Sequence, residues 1–110
     1  MTLAPPADLD ALQRGVTAPW RSVDVARVNG NAVRFRIMAD RTADWHVHPR
    51  SDELFYVVSG MVVLDTEHGA HAIAAGQLFV VPAGTRHRAR VSGRATLLVV
   101  DAIAPTGAST

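Results

Sequence analysis

The chain has 110 residues, a formal net charge of +1 at pH 7 and 48% hydrophobic residues, which suits one domain with one core. It contains no cysteine, and all 11 of its basic residues are arginine. Disulfides, thiolate ligands, thiol nucleophiles, Schiff-base lysines and a lysine general base are therefore excluded.

The opening Met-Thr-Leu-Ala-Pro-Pro lacks the basic start and apolar run of a secretory signal, so a cytoplasmic protein is expected. No apolar stretch approaches a membrane span in length. Residues 1–20 read as a lead-in arm, loosely ordered or packed on a second copy, in which Asp8 caps a short helix ending at Gly15. Strand-like runs then follow at residues 21–28, 33–38, 45–48, 53–58, 62–65, 70–74, 78–81, 86–91 and 96–102. Short strands punctuated by Gly and Pro predict an all-β sandwich or barrel over residues 21–103, with 104–110 as a tail.

The first hairpin turns on Asn29-Gly30. A two-residue loop there sets Asp24 opposite Phe35 and mixes polarities on both faces. A three-residue loop, Asn29-Gly30-Asn31, pairs Val23 with Ile37, Val25 with Phe35 and Asp24 with Arg36, and is the expected register. Arg34 and Arg36 then fall on a solvated outer face. The alternative turns one of them into the barrel mouth, where Arg36 could grip a substrate carboxylate or phosphate.

Chemistry concentrates in two blocks. WHVHPRSDELFYVVSG carries His46, His48, Glu53 and Gly60; GQLFVVPAGTRH carries Gly76, Pro82, Gly84 and His87. Residues i and i+2 of a strand share a face, roughly 6.6–6.8 Å apart, so the rings of His46 and His48 can converge on one ion. Residues 49–52 then form a turn. Glu53 opens the next strand, and His87 arrives 34 residues later, so the fold assembles the site. Alternation places Phe55 and Val57 beside Glu53 inside the barrel and Leu54, Tyr56 and Val58 outside. If His87 points inward, Ala89 and Val91 follow it while Arg86, Arg88 and Arg90 point away. That cluster, in a chain without basic bias, reads as a solvated or edge strand rather than a nucleic-acid surface. His68 and His71 read as exposed bystanders.

These two blocks resemble the metal-binding motifs of the cupin superfamily, over residues 46–60 and 76–87. Two positions depart from the pattern: Asp40 stands where the first motif usually opens with glycine, and Val91 where the second often closes with asparagine. The resemblance implies a double-stranded β-helix, or jelly-roll, barrel with one metal in its mouth. It also implies His46, His48, Glu53 and His87 as ligands, and commonly a homodimer. It implies no single reaction, because one fold hosts many chemistries.

Three imidazoles and one carboxylate suit one divalent first-row transition metal: Fe, Mn, Ni, Co, Cu or Zn. Six-coordination would leave two adjacent positions for a bidentate substrate, or for substrate and O₂. The leading expectation is a metal-dependent enzyme acting on a small organic molecule, dioxygenase chemistry first. An isomerase or lyase would also need a base, for which Tyr56 and Asp101 are candidates. A non-catalytic barrel binding a sugar or organic acid is the other alternative.

Overall fold

The computed structural model describes residues 3–16 and 18–103. One helix, α1 (Leu9–Gly15), precedes β1 (Ser22–Val28), β2 (Asn31–Thr42), β3 (Glu53–Ser59), β4 (Met61–Thr66), β5 (Gly69–Ala74), β6 (Leu78–Val81) and β7 (His87–Ala102). The strands pair antiparallel in the order β1-β2-β7-β3-β6, while β4 joins β5 to β7. The tail at residues 104–110 lies outside the described residues. Among the described residues, no helix is long and apolar enough to cross a membrane.

At α1, the Asp8 carboxylate accepts hydrogen bonds from the backbone N–H groups of Asp10 and Ala11, as the N-cap reading predicts. The helix lies against β2 of its own chain. Phe35 and Ile37 of β2 are fully buried.

Two predicted runs, 86–91 and 96–102, are one continuous strand of 16 residues. β7 spans both layers of the barrel. Its first residues pair with β4, and its last lie between β2 and β3. β2 follows it around the bend, its ladder slipping one residue between Ala39 and Arg41. Asp40 sits at that slip with φ 40°, a left-handed conformation usually left to glycine. Its carboxylate accepts the Gly93 N–H at 2.7 Å on β7. A short polar side chain that bonds locally is what makes this region tolerable to Asp. Asp40 thus serves where the motif usually has glycine, and Val91 simply joins the core.

Gly60, between β3 and β4, has a different reason to be glycine. Its φ is 78°, and a Cβ there would overlap the Arg94 carbonyl oxygen and lie 2.9 Å from Ala95 Cα. Both conformation and close approach to β7 demand it.

The first hairpin corrects the expected register. Val28 pairs with Asn31 across a two-residue Asn29-Gly30 turn, both turn residues having positive φ as a type I′ turn requires. The ladder then slips between Asp24 and Ala26, leaving Val23 opposite Phe35 and Asp24 opposite Arg34. One bulged residue restores the sorting of polar from apolar that a longer loop would otherwise supply.

Arg34 and Arg36 do not take the solvated outer face. They pair with Val99 and Leu97 on β7, which belong to the buried interior cluster, and directly paired residues share a face. The interior is built from Met38, Phe55, Val57, Leu64, Leu97, Val99 and their neighbours on six strands. Each such side chain stabilises the fold by about 1.5–3 kcal/mol when fully buried.

Replacing Asp40 tests the bend. Asp40→Ala keeps the left-handed φ and loses the bond to Gly93, so it should cost about 1–3 kcal/mol. Asp40→Gly relieves the conformation and should cost less, under about 1 kcal/mol. Urea unfolding midpoints decide; a glycine variant as damaged as the alanine one would contradict this account.

Candidate metal centre

The run at 45–48 is not a regular strand; it touches the sheet through a single bridge between His46 and His87. Each backbone N–H of that pair donates to the other's carbonyl at 2.9 Å, which sets the two rings on one face with centroids 4.3 Å apart. Two residues on, the His48 carbonyl accepts the Gly84 N–H at 2.9 Å. The turn before β3 is tied to the same loop, since the Asp52 carboxylate accepts the Ala83 N–H at 2.8 Å. Pro82 and Gly84 therefore shape the loop that braces both histidines. Glu53 enters from β3, flanked by Val81 and Asp101.

His46, His48, Glu53 and His87 each present one donor atom, and these atoms all lie within 4.8 Å of one another. Four ligands at metal distances of about 2.0–2.3 Å can be at most about 4.6 Å apart, so the cluster needs little movement to close on one ion. Glu53 and His87 are buried, His48 is half-buried and His46 is exposed. The site opens on the His46 side.

Backbone carbonyls orient two of the rings. His87 Nδ1–H donates to the Thr85 carbonyl at 2.9 Å, and His46 Nδ1–H to that of Asp44 at 3.1 Å. This leaves Nε2 of each ring to the cluster, the arrangement that outer partners impose on metal-binding histidines. His48 lacks such a partner: its Nδ1 is buried and unpaired, while its Nε2 lies 3.5 Å from Glu53 Oε1. Three nitrogens and one carboxylate facing a common point fit a divalent first-row ion.

Without an ion, Glu53 Oε1 accepts a 2.9 Å hydrogen bond from His87 Nε2. Burial pushes the Glu53 carboxyl up, but the His87 bond and the charges of His48, His87 and Arg36 outweigh it. The carboxyl rests below its ordinary range. Burial likewise pulls His87 down, but its bonds to Glu53 and the Thr85 carbonyl prevail and raise it. His46, at the open rim, is lowered chiefly by partial desolvation against the neighbouring rings. The raised His87 stabilises the metal-free fold below the ordinary imidazole pKa, and that contribution is lost as pH rises through its folded value. The lowered Glu53 contributes above the ordinary carboxylate pKa, lost as pH falls through its folded value.

The other predicted residues divide. Phe55 stands edge-on to His87 with centroids 6.2 Å apart, and Val57 is fully buried deeper in the barrel. Tyr56 shares the outer face with Leu78 and Leu98. Asp101 is buried and bound by Arg34 Nη1 at 2.8 Å. Both candidate bases are thus turned away or engaged. His68 is exposed as expected, but His71 is not a bystander: it pairs with interior Leu64 and stacks on Phe79 at 4.7 Å. Its sequence signal is the i+2 spacing to Ile73, an inward residue. Arg88 and Arg90 do point away from the interior, bound to Asp65, and Arg86 and Arg88 lie over Trp45.

Below the raised His87 pKa, an incoming ion must displace the His87 proton. Affinity should rise about tenfold per pH unit below the raised His87 pKa, with about one proton released per ion. Calorimetry in two buffers of different ionisation enthalpy measures this; affinity unchanged between about pH 6 and 8 would contradict it. The outer partners also rank the ligands: His87→Ala should weaken metal binding more than His48→Ala, by about tenfold or more, as read by competition with a chromophoric chelator.

Comparison with known proteins agrees with this geometry. The cupin domain family matches residues 33–102. The uncharacterized protein YdbB of Bacillus subtilis is 33% identical over 95 residues, which cover 86% of this chain and 83% of YdbB. A cupin-2 domain protein from Shewanella frigidimarina superposes with a TM-score of 0.84 at 18% identity, covering 88% of this chain and 94% of its own. The TT1209 protein of Thermus thermophilus superposes at 0.76 with 27% identity, covering 91% and 98%. With its antiparallel jelly-roll barrel and its His/Glu cluster, this chain belongs to the cupin family.

Proposed function

We propose that this protein is a metal-dependent enzyme acting on a small organic molecule, by dioxygenase-type chemistry, at the centre formed by His46, His48, Glu53 and His87. The observation that carries the reading is the convergence of three imidazoles and one carboxylate at the open end of an apolar barrel. A bound divalent ion would supply Lewis-acid or redox chemistry, with coordination positions beyond those the four side chains fill.

The protein's own contribution is positional. Glu53 and His87 would hold the ion from the buried side, and His46 from the exposed side. Phe55 lies beside His87 and, with the apolar interior, limits water around a bound substrate. Tyr56 faces outward and Asp101 is held by Arg34, so neither is placed to take a proton. That scarcity favours chemistry driven by coordination over proton abstraction by a side chain. An isomerase or lyase is the second reading, favoured by His71, an interior imidazole stacked on Phe79 whose ring could serve as a base. A homodimer belongs to the same proposal, supported by Leu78 and Val80, which leave apolar surface exposed on the outer face.

Protein isolated with its native metal should contain about one first-row ion per chain. Loaded anaerobically with Fe(II), it should give an electron-paramagnetic signal with nitric oxide, and His48→Ala should abolish it. Oxygen uptake dependent on a small organic substrate would then establish turnover. An ion closed to nitric oxide, or no uptake across a broad set of substrates, would sink the dioxygenase reading and leave the isomerase and binding readings.

A further inference from the structure

The interior wall beside the metal centre carries two arginines, of which Arg34 alone forms ion pairs among the described residues. Arg34 donates to Asp101 at 2.8 Å and to Asp24 at 3.2 Å. Arg36 uses Nε alone, in a 2.8 Å bond to the Ser22 hydroxyl. Its two Nη groups form no ion pair or hydrogen bond among the described residues. Both guanidinium groups arise from the inward face of β2, opposite Val99 and Leu97. Arg36 is substantially desolvated, which lowers its pKa, and the opposing influences begin with Glu53 and then Asp101.

Metal loading changes this balance. With no ion, Glu53 is the charge that compensates both His87 and Arg36. An ion bound by Glu53 would take up that carboxylate and add positive charge of its own, while Asp101 remains engaged by Arg34. Arg36 then keeps no carboxylate partner among the described residues, and its Nη groups are free to meet an anion.

We propose that Arg36 is a specificity residue of this centre, which binds the carboxylate of a small organic acid while another oxygen of the same molecule faces the ion. The inference rests on the metal-centre reading above. With Nε held by Ser22, the Nη1/Nη2 end of the guanidinium is presented as a fork, which matches a carboxylate in two parallel hydrogen bonds. The same fork geometry also matches a phosphate, so a phosphate ester is the competing probe. The neighbouring wall, Phe55, Val57, Leu97 and Val99, is apolar and suits the carbon body of such an acid. Ser22 is a positioning residue, since it acts through Arg36.

The test uses Co(II)-loaded protein, read by calorimetry and by the visible absorption of the ion. The probes are pyruvate and benzoylformate, each compared with its neutral amide, with methyl phosphate as a further arm. The acids should bind at least about tenfold more tightly than the amides, a difference of about 1.4 kcal/mol. Arg36→Gln should abolish that preference while leaving Co(II) affinity within about threefold, and Arg36→Lys should restore part of it. Equal binding of acid and amide overturns the proposal, as does a preference that survives in Arg36→Gln or acids that fail to bind at about 10 mM. Tighter binding of methyl phosphate than of either acid also overturns it, in favour of a phosphate site. Should both variants fail to fold, the acid-to-amide ratio in the unaltered protein still decides. Failure of the unaltered protein to bind Co(II) would overturn the metal-centre reading itself, which separates the two.

Discussion

Glu53 and His87 meet at 2.9 Å, and that contact requires β7 to fold back on itself. Glu53 pairs with Asp101, near the far end of β7, whereas His87 begins the strand. In a straight strand, the 14 steps from His87 to Asp101 would span about 45 Å. Bending at Gly93 closes the gap, and β2 must bend with it, because the two strands share a ladder on either side of Asp40. Asp40 and Gly60 are therefore conditions of the site, though neither touches it.

The same contact governs the electrostatics of the interior. A buried ion pair is weak evidence for stability, since desolvation offsets most of its attraction. Here the pair is surrounded by further charges on an otherwise apolar wall: Arg34 bound to Asp101, and Arg36 within electrostatic reach of Glu53. The outer face follows another rule, with Asp65 held below the ordinary carboxylate range by hydrogen bonds from Arg90 and then Arg88. Those groups are nearer water and are correspondingly screened.

Several local expectations carried over because they need only neighbours in the chain. Asp8 caps α1, and Glu53, Phe55 and Val57 alternate inward. Convergence of the four donor side chains was legible for a related reason: two motif blocks of fixed spacing carry their own turns, and those turns brace each other through Asp52 and Ala83. Errors arose where a bulge intervened. A single extra residue at Val25 defeats register counting across the first hairpin, since every partner beyond it shifts by one.

Local pattern could therefore establish the all-β class and point to the four side chains that cluster, because backbone sterics and the two-residue period of a strand act over a few residues. It could not say which face of β2 looks inward. Arg34, Phe35, Arg36 and Ile37 alternate cleanly, and either assignment is locally sound. The choice came from β7, which aligns the two arginines with Val99 and Leu97, while α1 lies against the same strand. With both faces of β2 covered, hydrophobicity no longer marks the interior, and only the pairing of distant strands decides where the charges go.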